Sequence, residues 1–240
     1  MARALWLAVV LLVLIGVAAA LGRGLFPADF ITRAEPFRQQ FLQALGRHDS
    51  DPAQRAIELQ RVDARYGAHR LATFLHIVPG ALFLVLAPLQ FSTRIRTRHL
   101  RFHRWSGRLL VILALPMVAA GFYFGVLMPY AGVREAIVIA SVATLFIASL
   151  TRAVIAIRRR DVARHREWML RAFALAIGIS VVRLVAAVVD TTLTPAGYDL
   201  RGMFVLSLAG GWALSSAAAE AWIARSASVP VNEIHKEPSA

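Results

Sequence analysis

The sequence predicts an all-α, polytopic transmembrane helix bundle of about six spans, with both termini in the cytoplasm. Three observations carry this. Hydrophobic residues are 58% of the 240 and gather in runs that are apolar all round, whereas a helix of a soluble domain has one apolar stripe and a polar remainder. Six runs approach or exceed the length of roughly 20 residues that crosses a hydrocarbon core of about 30 Å. None shows the alternating polarity of a transmembrane β-strand. Finally, the net charge of +13 is concentrated in the links at one end of these runs.

The first run, residues 4–21, follows Arg3 and ends in Ala18-Ala19-Ala20. Both a cleaved signal peptide and a retained span fit that pattern. Retention is the reading adopted, with residues 1–22 as the first span or signal anchor. Residues 23–70 form an outer-side segment of mixed charge, with eight Arg and six acids. Asp51 reads there as an N-cap and Pro52 as the first helical residue, which predicts a helix over 53–66 that caps the bundle. Residues 71–224 form a five-span membrane bundle with apolar runs at 71–91, 109–130, 136–157, 172–189 and 203–223. Pro79-Gly80, Pro88 and Pro116 are candidate helix breaks, and Gly210-Gly211 reads as a packing feature. The tail, 225–240, is polar, carries Pro230 and Pro238, and is expected to be disordered.

Charge placement sets the orientation. Residues 92–108 hold six Arg and no acid, and residues 158–171 hold six Arg against Asp161 and Glu167. The short links at 132–135 and 191–202 carry one Arg each, Arg134 and Arg201. The positive-inside rule puts the two basic loops in the cytoplasm, where anionic lipid is their natural partner. Nucleic acid is not expected, because the loops lack the interleaved aromatics of a single-strand platform. A membrane-protein partner or a homo-oligomer is compatible with the pattern. Cysteine is absent, which excludes disulfides, thiolate chemistry and iron–sulfur clusters and leaves His, Met and carboxylates as metal ligands.

Ionisable groups inside spans are expensive and therefore informative. Arg183 is too deep to reach the interface easily, and it is expected to pair with Asp190 or to lie near His76. Glu220 and Arg152 sit near span ends and read as structural. By helical phase, His165 and Arg183 share one face, His103 and Gly121 another, and His69, His76 and Gly80 a third. Small residues on these faces fit close helix packing as well as room for a flat cofactor.

Two stretches carry a family resemblance. One runs Pro88-Leu89-Gln90-Phe91, then basic residues, then His103-Arg104-Trp105-Ser106-Gly107-Arg108. The other is His165-Arg166-Glu167-Trp168-Met169-Leu170-Arg171. Together with His76 and Gly80 they resemble uncharacterised bacterial multi-spanning membrane proteins with Pro-x-Gln-Phe, His-Arg-x-x-Gly-Arg and His-x-x-Trp-Met-x-Arg signatures. The resemblance covers residues 69–190 and implies a bacterial cytoplasmic membrane location, but no activity. Where that family usually has Ser-Tyr, this chain has Ala172-Phe173.

Three function classes fit: a haem-binding or redox membrane protein, a small-molecule transporter, and an assembly partner of another membrane complex. On the first, His103 and His165 converge as ligands of haem b or a metal, with Arg104, Arg108, Arg166 and Arg171 near the propionates. His76 is a weaker cofactor candidate, because no other span offers a His at its depth. On the plainer account both His lie at the headgroup level and bond backbone or lipid phosphate. Topology gives the first test. Reporter fusions at Ala131 and Thr194 should report the outer side, and fusions at Arg101 and Arg164 the cytoplasm. The reverse result at any two positions overturns the orientation.

Overall fold

Residues 2–193 and 196–227 are described by the computed structural model. They form nine helices and no strand: α1 (Ala2–Leu25), α2 (Phe30–Ala44), α3 (Pro52–Ala68), α4 (Arg70–Gln90), α5 (Thr93–Arg98), α6 (Leu100–Phe122), α7 (Val133–Arg158), α8 (Val162–Leu193) and α9 (Leu200–Ala227). Helix α6 continues into a π-helical turn, Tyr123–Leu127. Six helices (α1, α4 and α6–α9) are long and apolar enough to cross a membrane. They alternate in direction, so the bundle has a basic end, at the 92–108 and 158–171 links, and a cap end, where α2 and α3 sit. Most of the expected tail, from residue 228, lies outside the described residues.

Two spans begin well ahead of their apolar runs. Helix α6 starts at Leu100, ahead of the run at 109, and α8 starts at Val162, ahead of the run at 172. At about 1.5 Å per residue the 32 residues of α8 extend roughly 48 Å, well beyond a hydrocarbon core. The motif histidines therefore stand on continuous helix rather than in loops. The prolines do not break helices: α4 runs through Pro79 and Pro88, and α6 through Pro116. The broken spans on which the transporter reading drew are thus not found at these positions.

The core lies among α4, α6, α7 and α8. It is built from Phe83, Leu84, Leu110, Phe146, Leu150 and Phe173, among others, with Phe83 edge-on to Phe146 at 5.8 Å. Leu7, Leu11, Phe74, Ile112, Leu115 and Ile137 are exposed large apolar side chains of the spans. In water they would be a liability; facing lipid tails they are what a span requires. The closest helix pair is α8 with α9. A Cβ at Gly211 would fall 2.4 Å from the Cα of Val182, and one at Gly178 would fall 2.4 Å from Trp212. Trp212 Nε1 donates across the pair to the carbonyl of Leu175 at 3.0 Å. Glycine at these crossings lets the backbones touch, the usual route to dispersion energy where lipid supplies no hydrophobic drive.

The cap is fixed by charge. Asp51 accepts from the Gln54 amide at 2.9 Å, which starts α3 as its sequence suggests; α2 was not anticipated. Asp63, wholly buried, takes a 2.6 Å bond from Arg23 at the end of α1. It also accepts from the amides of Ile31 and Thr32 and from the Thr32 hydroxyl. A second cluster joins Arg38 and Arg55 to Glu35, Asp49 and Asp190, the last near the end of α8. Glu58 joins α3 to Arg201 on α9 at 3.3 Å. Arg65 donates to the carbonyl of Met128, and Arg47 to that of Thr191.

The hydrogen bond from Arg38 holds the Asp49 carboxyl below the ordinary carboxylate range. Burial pushes Asp63 upward, but the bonds from Thr32, Arg23 and Ile31 outweigh it and the net shift is downward. Stability from such groups is present above their unfolded pKa, about 3.9 for Asp, and is lost as pH falls through the lower folded value. These carboxylates should therefore leave the melting temperature of the detergent-purified protein flat from pH 8 to about 5 and lower it below about pH 4. Asp63→Asn should destabilise by about 3–5 kcal/mol, because it strands the buried Arg23. At the α8–α9 crossing, Gly211→Ala should destabilise by about 1–3 kcal/mol. Gly210→Ala, whose Cβ would meet only Val185 at 3.6 Å, should be tolerated. Equal melting temperatures for the two glycine variants would refute the close crossing.

Candidate functional site

The three sequence motifs, far apart in the chain, meet at the basic end. Gln90, the last residue of α4, donates through Nε2 to the Ser106 hydroxyl at 2.7 Å. Ser106 in turn donates to the Phe102 carbonyl one turn back on α6 at 2.5 Å. Both side chains are buried. Phe91 packs against Phe173 of α8 with ring centroids 5.2 Å apart. Thus the Pro-x-Gln-Phe stretch holds α6 through its Gln and α8 through its Phe.

The His-x-x-Trp-Met-x-Arg stretch is held as tightly. Arg152 of α7 stacks over Trp168 at 4.7 Å, and Arg171 stacks on the same indole at 4.6 Å. Arg171 also makes a two-pronged ion pair with Glu220 of α9, at 2.7 and 2.9 Å. Arg152 and Glu220, read from sequence as structural, have stacking and pairing roles.

His165 lies in the first turns of α8, and its Nδ1 is 2.9 Å from the carbonyl of Ala153 on α7. A carbonyl only accepts, so Nδ1 carries a proton, and in the neutral imidazole the lone pair is on Nε2. Metal-bound imidazoles are oriented in the same way, by a carbonyl on the other nitrogen. His103 of α6 is within electrostatic reach of His165, Arg96 and Arg104. Its Nδ1 is buried without a hydrogen-bond partner, as is Nε of Arg96. Arg96 is also within electrostatic reach of Arg166. The basic end therefore gathers two imidazoles and three guanidinium groups. Burial, with the nearby charge of Arg166, pushes Arg96 below the usual arginine range.

Not every expected residue joins this cluster. Arg171 is committed to Glu220 and Trp168, and Arg108 stacks over Trp105 at 5.2 Å. Arg104 and Arg166 are exposed, Arg104 within electrostatic reach of His103 and Arg166 within reach of Arg96. Arg96 was missed from sequence, because nothing in composition separates it from Arg94 and Arg98. No group of three or more His, Asp or Glu among the described residues is arranged to hold a metal ion.

His76 and Arg183 lie in the other half of the bundle. His76 Nδ1 is 2.9 Å from the carbonyl of Met117, and a Cβ at Gly121 would fall 3.1 Å from its ring. His76 and Arg183 are within electrostatic reach of each other. The expected Arg183–Asp190 ion pair is not found among the described residues. Asp190 is bound instead by Arg38 and Arg55 of the cap. Those arginines, brought in by α2 and α3, outcompete a neighbour on Asp190's own helix.

A model of the family described as "Predicted membrane protein (DUF2306)" matches residues 73–223, and the chain belongs to that family. No curated protein and no solved structure matches.

Proposed function

We propose that this membrane protein, as a member of the DUF2306 family, is a redox protein of the bacterial cytoplasmic membrane that binds haem b through His103 and His165. The observation that carries the reading is the pairing at the basic end. His165 Nδ1 is anchored on Ala153, which leaves Nε2 available, and His103 lies within electrostatic reach. The donor set fits the group: His103 and His165, imidazoles on two different helices, would be the residues to hold a haem iron. Arg96 and Arg104, within reach of His103, and Arg166, within reach of Arg96, are the arginines that would meet its carboxylate groups. Bound haem would supply one-electron transfer. The protein's part is to orient each imidazole: the Ala153 carbonyl fixes the tautomer of His165, and the Gln90–Ser106 bond steadies the helix that bears His103.

A second reading takes the same arginines as a headgroup site for anionic lipid. It is favoured by Trp105, 69% exposed beside Arg108, in the manner of an interfacial anchor.

The test is expression with haem supplied, followed by absorption spectra of the purified protein. Wild type and His76→Ala should show a Soret band and reducible b-type bands, and His103→Ala and His165→Ala should lose most of the bound haem. A well-folded, colourless wild type rejects haem and leaves the lipid reading.

A further inference from the structure

Arg183 is a charge within a span that no ion pair among the described residues neutralises. It lies ten residues before the end of α8, about 15 Å along the helix. Its Nη1 donates to the carbonyl of Ile179, one turn back on the same helix, at 3.0 Å. That bond turns one N–H back along α8, toward the basic end. None of the ion pairs formed among the described residues includes Arg183.

The carboxylates of the cap end are engaged elsewhere. Asp63 serves Arg23 and the start of α2. Asp190 serves Arg38 and Arg55, and Glu58 serves Arg61 and Arg201. Glu135 accepts from the Ala131 amide. An arginine stays protonated in a protein, and an isolated charge at membrane depth is strongly unfavourable. The polar groups around it come from other helices: His76 of α4, and Tyr66 and Arg23 at the cap. The Met117 carbonyl holds the Nδ1 proton of His76 and leaves its Nε2 unbonded to Met117. Gly121 leaves the ring its room, since a Cβ there would press on Cε1 at 3.1 Å.

We propose that Arg183 and His76 form an intramembrane binding site for a carboxylate-bearing molecule, separate from the histidine cluster at the basic end. Arg183 supplies the counter-charge and N–H donors in the fork geometry that matches a carboxylate. His76 lines the site from α4, where Gly121 leaves its ring room. The carboxylate can come from a water-soluble acid or from a fatty acid already in the bilayer, and the chemistry of recognition is the same.

The experiment is a thermal-shift titration of the detergent-purified full chain with propionate and with oleate, each against its methyl ester. One or both acids should raise the melting temperature where the ester does not; a response to propionate identifies a soluble ligand, and one to oleate alone a lipid-derived one. Arg183→Gln should weaken the response at least tenfold, and Arg152→Gln, at the other end of the bundle, should leave it unchanged. If Arg183→Gln does not fold, Gly121→Ala supplies the same test without removing a charge, by crowding His76. No shift with either acid overturns the proposal, as does a shift that persists in every folded variant of Arg183 and Gly121. Haem content does not enter this readout, so the site stands or falls independently of the haem reading.

Discussion

Lipid offers no hydrogen-bond partners, so each backbone group and charge within the membrane must be satisfied by the protein itself. That constraint shapes the whole molecule. It makes every span a continuous helix, even through Pro79, Pro88 and Pro116. It also accounts for the cap, where Asp63 and the Arg38–Arg55 cluster take charges out of water only in mutually bonded groups. Removing one partner from such a group leaves a buried charge, which is far worse than never having built the pair.

Against this background the two ends of the bundle differ in kind. At the cap end carboxylates and arginines bond one another and reach α1, α8 and α9, with Nε of Arg65 left buried without a partner. The basic end has arginines in excess, and two of its buried nitrogens, on Arg96 and His103, have no partner. Arg183, between them, is the exception within the bundle.

The motifs acquire a physical meaning from the packing. Gln90 matters because it bonds Ser106, and Phe91 because it meets Phe173. Arg152 and Arg171 both stack on Trp168, and Arg171 reaches on to Glu220. Three short stretches thus act as one joint among α4, α6, α7, α8 and α9. His103 and His165 sit on the helices this joint aligns.

By itself the sequence determined the class and the spans, because an all-round apolar run of sufficient length has no stable place except a bilayer. It also determined the α3 start at Asp51-Pro52, a local effect of capping, and it singled out the motif histidines. It could not determine partners. Arg183 and Asp190 share a face of α8, yet Asp190 is taken by two arginines more than a hundred residues earlier in the chain. Arg96 looks like its neighbours in a run of arginines until the short helix α5 places it near His103 and Arg166. Helical phase tells which side chains share a stripe; which of them meet depends on how other helices pack against that stripe, and that competition is settled only in the tertiary structure.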